Sequence, residues 1–214
     1  MDRILEPEVM DGTSEAQDYE AMDFSATDAL FAERALQLNP SPRRVVDVGS
    51  GNAKITAAIA AKSPADAVIY AVDMSTSMLA FAQRRLPPEG SLCLVADAKR
   101  LPFPDGTVDL VVTNSLVHHI PDPRSLFQEI ARVVAPGGAI LIRDLFRPES
   151  VEQMEALIAI YAAGCSELQT SLLRDSFCAA LTVAEARQQL DECGLADLTV
   201  YQASDRHWSA ERSA

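Results

Sequence analysis

Three aspartates recur through the first half of the chain, each closing a short apolar run: Asp47 in VVDV, Asp73 after AVIYAV, and Asp97 just past LCLVA. Between the first two lies Gly49-Ser50-Gly51. Glycine lets a backbone turn sharply and come close to a ligand. If the apolar runs are parallel strands, these carboxylates converge at the strands' carboxyl ends, where open α/β sheets hold their ligands. A carboxylate after the second strand can accept both hydroxyls of a ribose. One after the third can accept from an adenine amino group. Asp47, just inside the turn, can act on a ligand amine or on the turn itself. The competing reading is a ligand-free strand–helix turn with three solvated aspartates, and their placement at three successive strand ends argues against it. The dinucleotide fingerprint G-x-G-x-x-G would need glycine at position 54, where this chain has Lys54, so a nicotinamide-gripping turn is disfavoured.

Further along, His118-His119 follows the run VDLVVTN, which ends at Asn114. Histidine titrates near neutrality and can serve as a general base. The pair equally suits a pocket wall, with one ring turned inward and one outward. Asn114 lines the pocket either way. Arg143 and Asp144 end the next apolar run, where they could meet a substrate or form an internal ion pair. Tyr19 and Met22, with Met10 and Phe24, interrupt an otherwise acidic N-terminal stretch, as lid residues or as anchors on the core. Arg206-His207-Trp208 could bind an anionic or aromatic substrate, although a structural edge strand is favoured. Cys165 and Cys178 could hold a soft metalloid, but their spacing matches no metal motif. They read as core thiols, and no metal site is expected.

These residues need a frame to hold them. From Arg43 the pattern alternates: strand, glycine turn, helix with Ile55, Ala58 and Ile59, strand to Asp73, helix with Met78, Leu79, Ala82 and Leu86, then a third and a fourth strand. Asp122-Pro123 reads as an N-cap with proline at the first helical position. Leu126, Phe127, Ile130, Val133 and Val134 then keep the helical period until Pro136-Gly137-Gly138, and AILI makes a fifth strand. Such alternation implies a parallel sheet with helices on both faces. After Asp144 two helices occupy about 150–180, and a third opens with the capping box Thr182-x-x-Glu185 and stops at Gly194. LTVY is a sixth strand, and a short seventh fits around 206–209. Ahead of the alternation, Ser25 starts a helix with Asp28 as an approximate capping box and Leu30, Phe31, Ala35 and Leu38 on one face. The expected division is a cover segment and helix over 1–40, then one α/β domain over 41–214.

Length and charge narrow the partners. A chain of 214 residues suffices for one domain with a full core. With 18 basic and 31 acidic residues its formal charge is −13. That surface repels phosphate backbones, so nucleic acid and anionic membranes are not the expected partners. No apolar run approaches the roughly 20 residues of a membrane span. The N-terminus lacks a signal peptide's apolar core. Four scattered cysteines without C-x-x-C suit a reduced, cytoplasmic protein.

The segments VVDVGSGNAKIT, YAVDMSTSMLAFAQRRL, LVADAKRLPFPDGTVDLVVTNSLVHHIPDP and LFQEIARVVAPGGAILIRD together resemble the class I S-adenosylmethionine-dependent methyltransferases. They keep that family's order and spacing over roughly 43–145. The branch they are most similar to includes ubiquinone- and menaquinone-pathway enzymes and other small-molecule methyltransferases. The resemblance implies a Rossmann-like three-layer sandwich with a mostly parallel, seven-stranded sheet, and S-adenosylmethionine as cofactor. It places Gly49, Ser50 and Gly51 against the methionine moiety, with Asp47 behind the turn. Asp73 falls on the ribose, Met74 on the adenine face, Asp97 and Ala98 on the adenine edge, and Asn114 beside the methionine or the methyl group. The expected function is methyl transfer to a small molecule by in-line displacement, with a protein acceptor as the next reading. A non-enzymatic binder of S-adenosylmethionine or S-adenosylhomocysteine with a regulatory role is the alternative from another class. Where the family has a third glycine in the turn, this chain has Ala53.

Overall fold

The computed structural model describes residues 1–6, 20 and 24–214. In chain order the elements are α1 (Ser25–Leu38), β1 (Arg44–Val48), α2 (Lys54–Ala60), β2 (Val68–Asp73), α3 (Thr76–Arg85), β3 (Ser91–Val95) and β4 (Val108–Asn114). A single 3-10 turn, Val117–His119, precedes α4 (Arg124–Val133) and β5 (Val134–Leu145). Then come α5 (Val151–Tyr161), α6 (Glu167–Ala179), α7 (Val183–Glu192), β6 (Thr199–Gln202) and β7 (His207–Arg212).

The seven strands form one sheet in the order β3-β2-β1-β4-β5-β7-β6. The neighbouring pairs from β3 through β5 are parallel, and β7 runs antiparallel to both β5 and β6. This is the Rossmann-like, mostly parallel sheet that the residue pattern implies. The order reverses beside β1, so the crevice beyond the ends of β1 and β4 is the switch point at which such sheets take ligands.

Because helices cover both faces, the central strands alternate between two cores and read as unbroken apolar runs. Val46, Val48, Val111, Ile140 and Ile142 face Leu126, Phe127 and Ile130 of α4 and Leu190 of α7. Val45, Leu110, Val112 and Leu141 face Phe31, Ala35 and Leu38 of α1 and Ile59 of α2. Truncating a ring as enclosed as Phe127 would cost about 3–5 kcal/mol.

Several boundaries depart from the sequence reading. Phe24, not Ser25, occupies the N-cap of α1. Leu30 points to solvent, and Ala32 takes its place on the buried face. The α4 helix begins at Arg124, one residue later than expected, although Asp122 still accepts its backbone N–H. Pro136-Gly137-Gly138 does not separate helix from strand. It lies inside β5 as an irregularity, where the pairing jumps from Val108↔Val134 to Leu110↔Ala139. The last strand is longer than expected and is interior rather than an edge, with Trp208 fully buried in the core. The α6 helix carries a second capping box, Ser166 with Gln169, beside the expected one at Thr182 and Glu185.

Candidate functional site

The turn after β1 is built by three residues in the left-handed region: Gly49 at φ +70°, Gly51 at +52° and Ala53 at +60°. Gly49 and Ser50 donate their N–H groups to the Val72 carbonyl at 2.8 and 3.0 Å, tying the turn to β2. A Cβ on Gly49 would stand 2.8 Å from Leu116, so the passage here is backbone-wide. Ala53, replacing the family's third glycine, opens α2 in a conformation that costs an L-residue about 1–2 kcal/mol. Its methyl is enclosed among Ala71, Leu79 and Ala82.

Asp73 crosses the turn. One carboxylate oxygen accepts the Gly51 N–H at 2.7 Å and the other the Ser75 N–H at 2.8 Å. A carboxylate has about four acceptor positions, so with the backbone donors of Gly51, Ser75 and Met74 in place it still has room to accept from a ligand hydroxyl. Burial pushes its pKa above the ordinary carboxylate value, against the pull of these backbone donors. Asp47 lies deeper and is fully enclosed, accepting the Thr56 hydroxyl at 2.5 Å. Burial, opposed by that bond and aided by Asp73 and Asp28, raises it to about 7. The Ser50 hydroxyl is buried and has no hydrogen-bond partner among the described residues. A hydroxyl in the glycine turn without a protein partner leaves a polar group there for a ligand to satisfy.

Around this turn, Met74 is an exposed apolar side chain beside Asp73. Asp97 lies two residues beyond the end of β3, its carboxylate held by Lys99 through the backbone N–H at 2.8 Å and the ammonium at 3.0 Å. That ammonium, with the Lys99 N–H, outweighs burial and lowers its pKa. Ala98 follows in the same half-buried loop. Asn114 ends β4 opposite Arg143 in the register, and its side-chain oxygen accepts the Arg143 Nε–H at 2.7 Å. The Arg143 guanidinium sits 4.6 Å from the Phe31 ring centre, which ties it to α1. Ser115, next in the chain, holds φ +55°, and strained non-glycine backbone of this kind concentrates at functional sites.

The histidine turn forms the other wall. Both expected orientations are realised: His118 is buried and His119 partly accessible. His118 Nδ1 meets Asp144 at 2.5 Å, and its Nε2 is 3.5 Å from Glu6. His119 Nδ1 lies 3.0 Å from the same Glu6 oxygen. Asp144, completely enclosed, also accepts the Val117 and Leu145 N–H groups at 2.6 Å each. Burial alone would lower His118, but Asp144 and Glu6 override it and raise its pKa. In return His118 holds Asp144 below the ordinary carboxylate value despite burial. Asp144 is thus spent inside the protein on the histidine turn.

Glu6 had no signal in the sequence, since it sits in an aperiodic acidic stretch. Its neighbour Arg3 explains its position, donating to the carbonyls of Ile120, Pro121 and Ala179 at 2.6–2.9 Å. Glu20 was missed for the same reason. Its carboxylate takes Asn52 at 2.7 Å and Arg85 at 2.5 Å, and its carbonyl takes Lys54 at 2.9 Å, all on or beside the glycine turn. Tyr19, Met22 and Met10 lie outside the described residues. At the far end Arg206 covers the Tyr161 ring and Trp208 is core. The four cysteines are free thiols, and of the two read as core residues Cys178 is half-buried while Cys165 is exposed. Among the described residues no helix is long and apolar enough to cross a membrane.

Residues 46–142, from β1 through most of β5, match the family model of the methyltransferase domain. The malonyl-[acyl-carrier protein] O-methyltransferase of Halorhodospira halophila is 32% identical over 57% of this chain and 41% of its own length. The demethylmenaquinone methyltransferase of Bacillus licheniformis is 31% identical over 56% and 53%. The trans-aconitate 2-methyltransferase of Methylobacterium nodulans is 36% identical over 53% and 41%. The chain thus spans about half the length of the curated relatives it matches. Among solved structures, a putative S-adenosyl-L-methionine-dependent methyltransferase from Methanococcus maripaludis superposes with TM-score 0.75 at 19% identity, covering 99% of this chain and 98% of that one. The plantazolicin methyltransferase in complex with SAH gives 0.72 at 15% identity, covering 92% and 88%. From β1 through most of β5 the chain is thus similar to methyltransferase domains in sequence, and over nearly its whole length it shares their fold.

Proposed function

We propose that this protein transfers a methyl group from S-adenosylmethionine to a small-molecule acceptor. The observation that carries the reading is Asp73 locked to the Gly51 N–H at the switch point of the sheet, beside a buried Ser50 hydroxyl that has no protein partner among the described residues. On this reading Gly49, Ser50 and Gly51 take the methionine moiety and Asp73 the ribose hydroxyls. Met74, Asp97 and Ala98 take the adenine, while Asp47 and Asn114 support the turn and the strand end behind them. Bound there, the cofactor supplies a methyl group on a good sulfonium leaving group. The protein's part is to orient the acceptor and exclude water, which together account for much of the rate in such a displacement. His118, its Nδ1 bonded to Asp144 and its Nε2 turned to Glu6, positions the wall rather than meeting the acceptor. His119 is the histidine with access to the crevice.

The cover reading of residues 1–40 gains support from both ends of its N-terminal part. Residues 1–6 are bonded to the histidine turn and α6, and Glu20 to the glycine turn. The relatives named above suggest a small metabolite or carrier-linked acid as acceptor, and the four free thiols suit the cytoplasm. Calorimetry with S-adenosylmethionine and with NAD tests the cofactor. Asp73→Ala removes a buried acceptor worth roughly 1–3 kcal/mol, so affinity for S-adenosylmethionine should fall about tenfold or more. Unchanged affinity in a variant that still folds removes Asp73 from the site. Cofactor consumption across a panel of small metabolites then identifies the acceptor.

A further inference from the structure

Glu6, His118 and His119 present three ligand atoms that all lie within 4.8 Å of one another. We propose that these side chains bind a divalent transition-metal ion of the zinc class, beside the crevice that takes the cofactor.

The distances suit such an ion. His118 Nε2 and His119 Nδ1 stand 3.5 and 3.0 Å from one Glu6 oxygen. Ligands bonded at about 2.0–2.1 Å around a tetrahedral ion are spaced by about 3.3 Å. Two imidazoles and a carboxylate select zinc, iron, cobalt or nickel over magnesium and calcium, which prefer all-oxygen shells. Three protein ligands also leave a position open for water or an acceptor group.

The surroundings are those of a metal site. Asp144 accepts from His118 Nδ1 at 2.5 Å, which fixes the tautomer with the Nε2 lone pair aimed at Glu6. That is the carboxylate–histidine arrangement found behind metal-bound imidazoles. Ser176 donates to the other Glu6 oxygen at 3.2 Å and orients the carboxylate. A lone pair and a carboxylate oxygen facing each other at 3.5 Å repel unless a proton or a cation stands between them. The two rings lie 4.2 Å apart, centre to centre, and a divalent ion held between them and Glu6 offsets the negative charge of Glu6 and Asp144.

The test uses the full chain, stripped of metal with a chelator and dialysed. Titration with Co²⁺ alone should give the visible absorption bands of a four- or five-coordinate cobalt centre at one equivalent, and Zn²⁺ should displace them. Glu6→Gln and His119→Gln should each weaken Zn²⁺ binding at least tenfold in competition with a chromophoric chelator. Asp144→Asn should weaken it 10–100-fold by loosening His118. Circular dichroism confirms that each variant is folded, and an unfolded one is replaced by Glu6→Asp, which should shift the cobalt bands. No visible bands with wild type, or bands unchanged in the folded Glu6→Gln and His119→Gln proteins, overturns the site. None of these readouts needs methyl transfer, so the metal and the proposed function fail separately.

Discussion

Replacing Asp47 by asparagine should make the protein's stability less sensitive to pH. The carboxylate is 2% exposed, its hydrogen-bond partner is the Thr56 hydroxyl, and its pKa stands at about 7 against an ordinary 3.8. Between those values the folded chain holds a proton that the unfolded chain has released. Stability from this group is therefore complete below pH about 4, falls as pH rises, and is gone above about 7. One pKa unit corresponds to about 1.4 kcal/mol, so three units set a ceiling of about 4 kcal/mol. Asparagine keeps an acceptor for Thr56 and cannot ionise. Its extra N–H lacks an evident partner and costs about 1–3 kcal/mol at every pH. The variant should then be the weaker protein at pH 4.5 and should match or exceed wild type at pH 8. Urea unfolding of both proteins at half-unit steps from pH 4.5 to 8.5 gives the difference directly. Contributions from the other titrating groups largely cancel in that difference. Its slope, up to about 1.4 kcal/mol per pH unit, is diagnostic whatever the constant offset. Parallel curves would show that Asp47 stays ionised in the fold and refute the reasoning.

Gly51→Val places a branched side chain at φ +52° beside Asp73; S-adenosylmethionine binding should vanish by calorimetry while the melting transition survives at a lower temperature. Ala53→Gly should leave stability within about 1 kcal/mol of wild type, since relief of about 1–2 kcal/mol of left-handed strain offsets the lost methyl burial and the added chain entropy. The unstrained control Ala82→Gly, in the middle of α3, should cost about 1.5–2 kcal/mol by the same denaturation assay. Glu20→Ala removes the partner of Asn52 and Arg85; turnover should fall more than cofactor affinity.

The centre of the sheet was legible because its strands are buried on both faces and announce themselves as apolar runs between glycines and aspartates. The glycine turn and the ordered aspartates were legible for the same reason: local spacing carries them. What escaped is non-local. Glu6 reaches the histidine turn across more than a hundred residues of chain, and Arg3 caps carbonyls of a loop and of α6. Asp144 read as a substrate contact or an ion-pair member, and its neighbours chose the second role. The interior place of β7 could not be read from its length, because pairing order is set by packing of Trp208 into the core rather than by local propensity.

That pairing order has a consequence for how the chain is made. The β6 strand leaves the ribosome before β7, yet its place in the sheet exists only once β7 has joined β5. The outer edge of β5 therefore waits while residues 146–206 are synthesised, on the order of 3–12 s at 5–20 residues per second. Through that interval an edge carrying Ile140, Ile142 and Leu145 has unpaired backbone groups, the kind of surface that recruits other nascent chains. Slowing translation after codon 145 should favour aggregates, and chaperone occupancy should peak on that stretch of the nascent polypeptide.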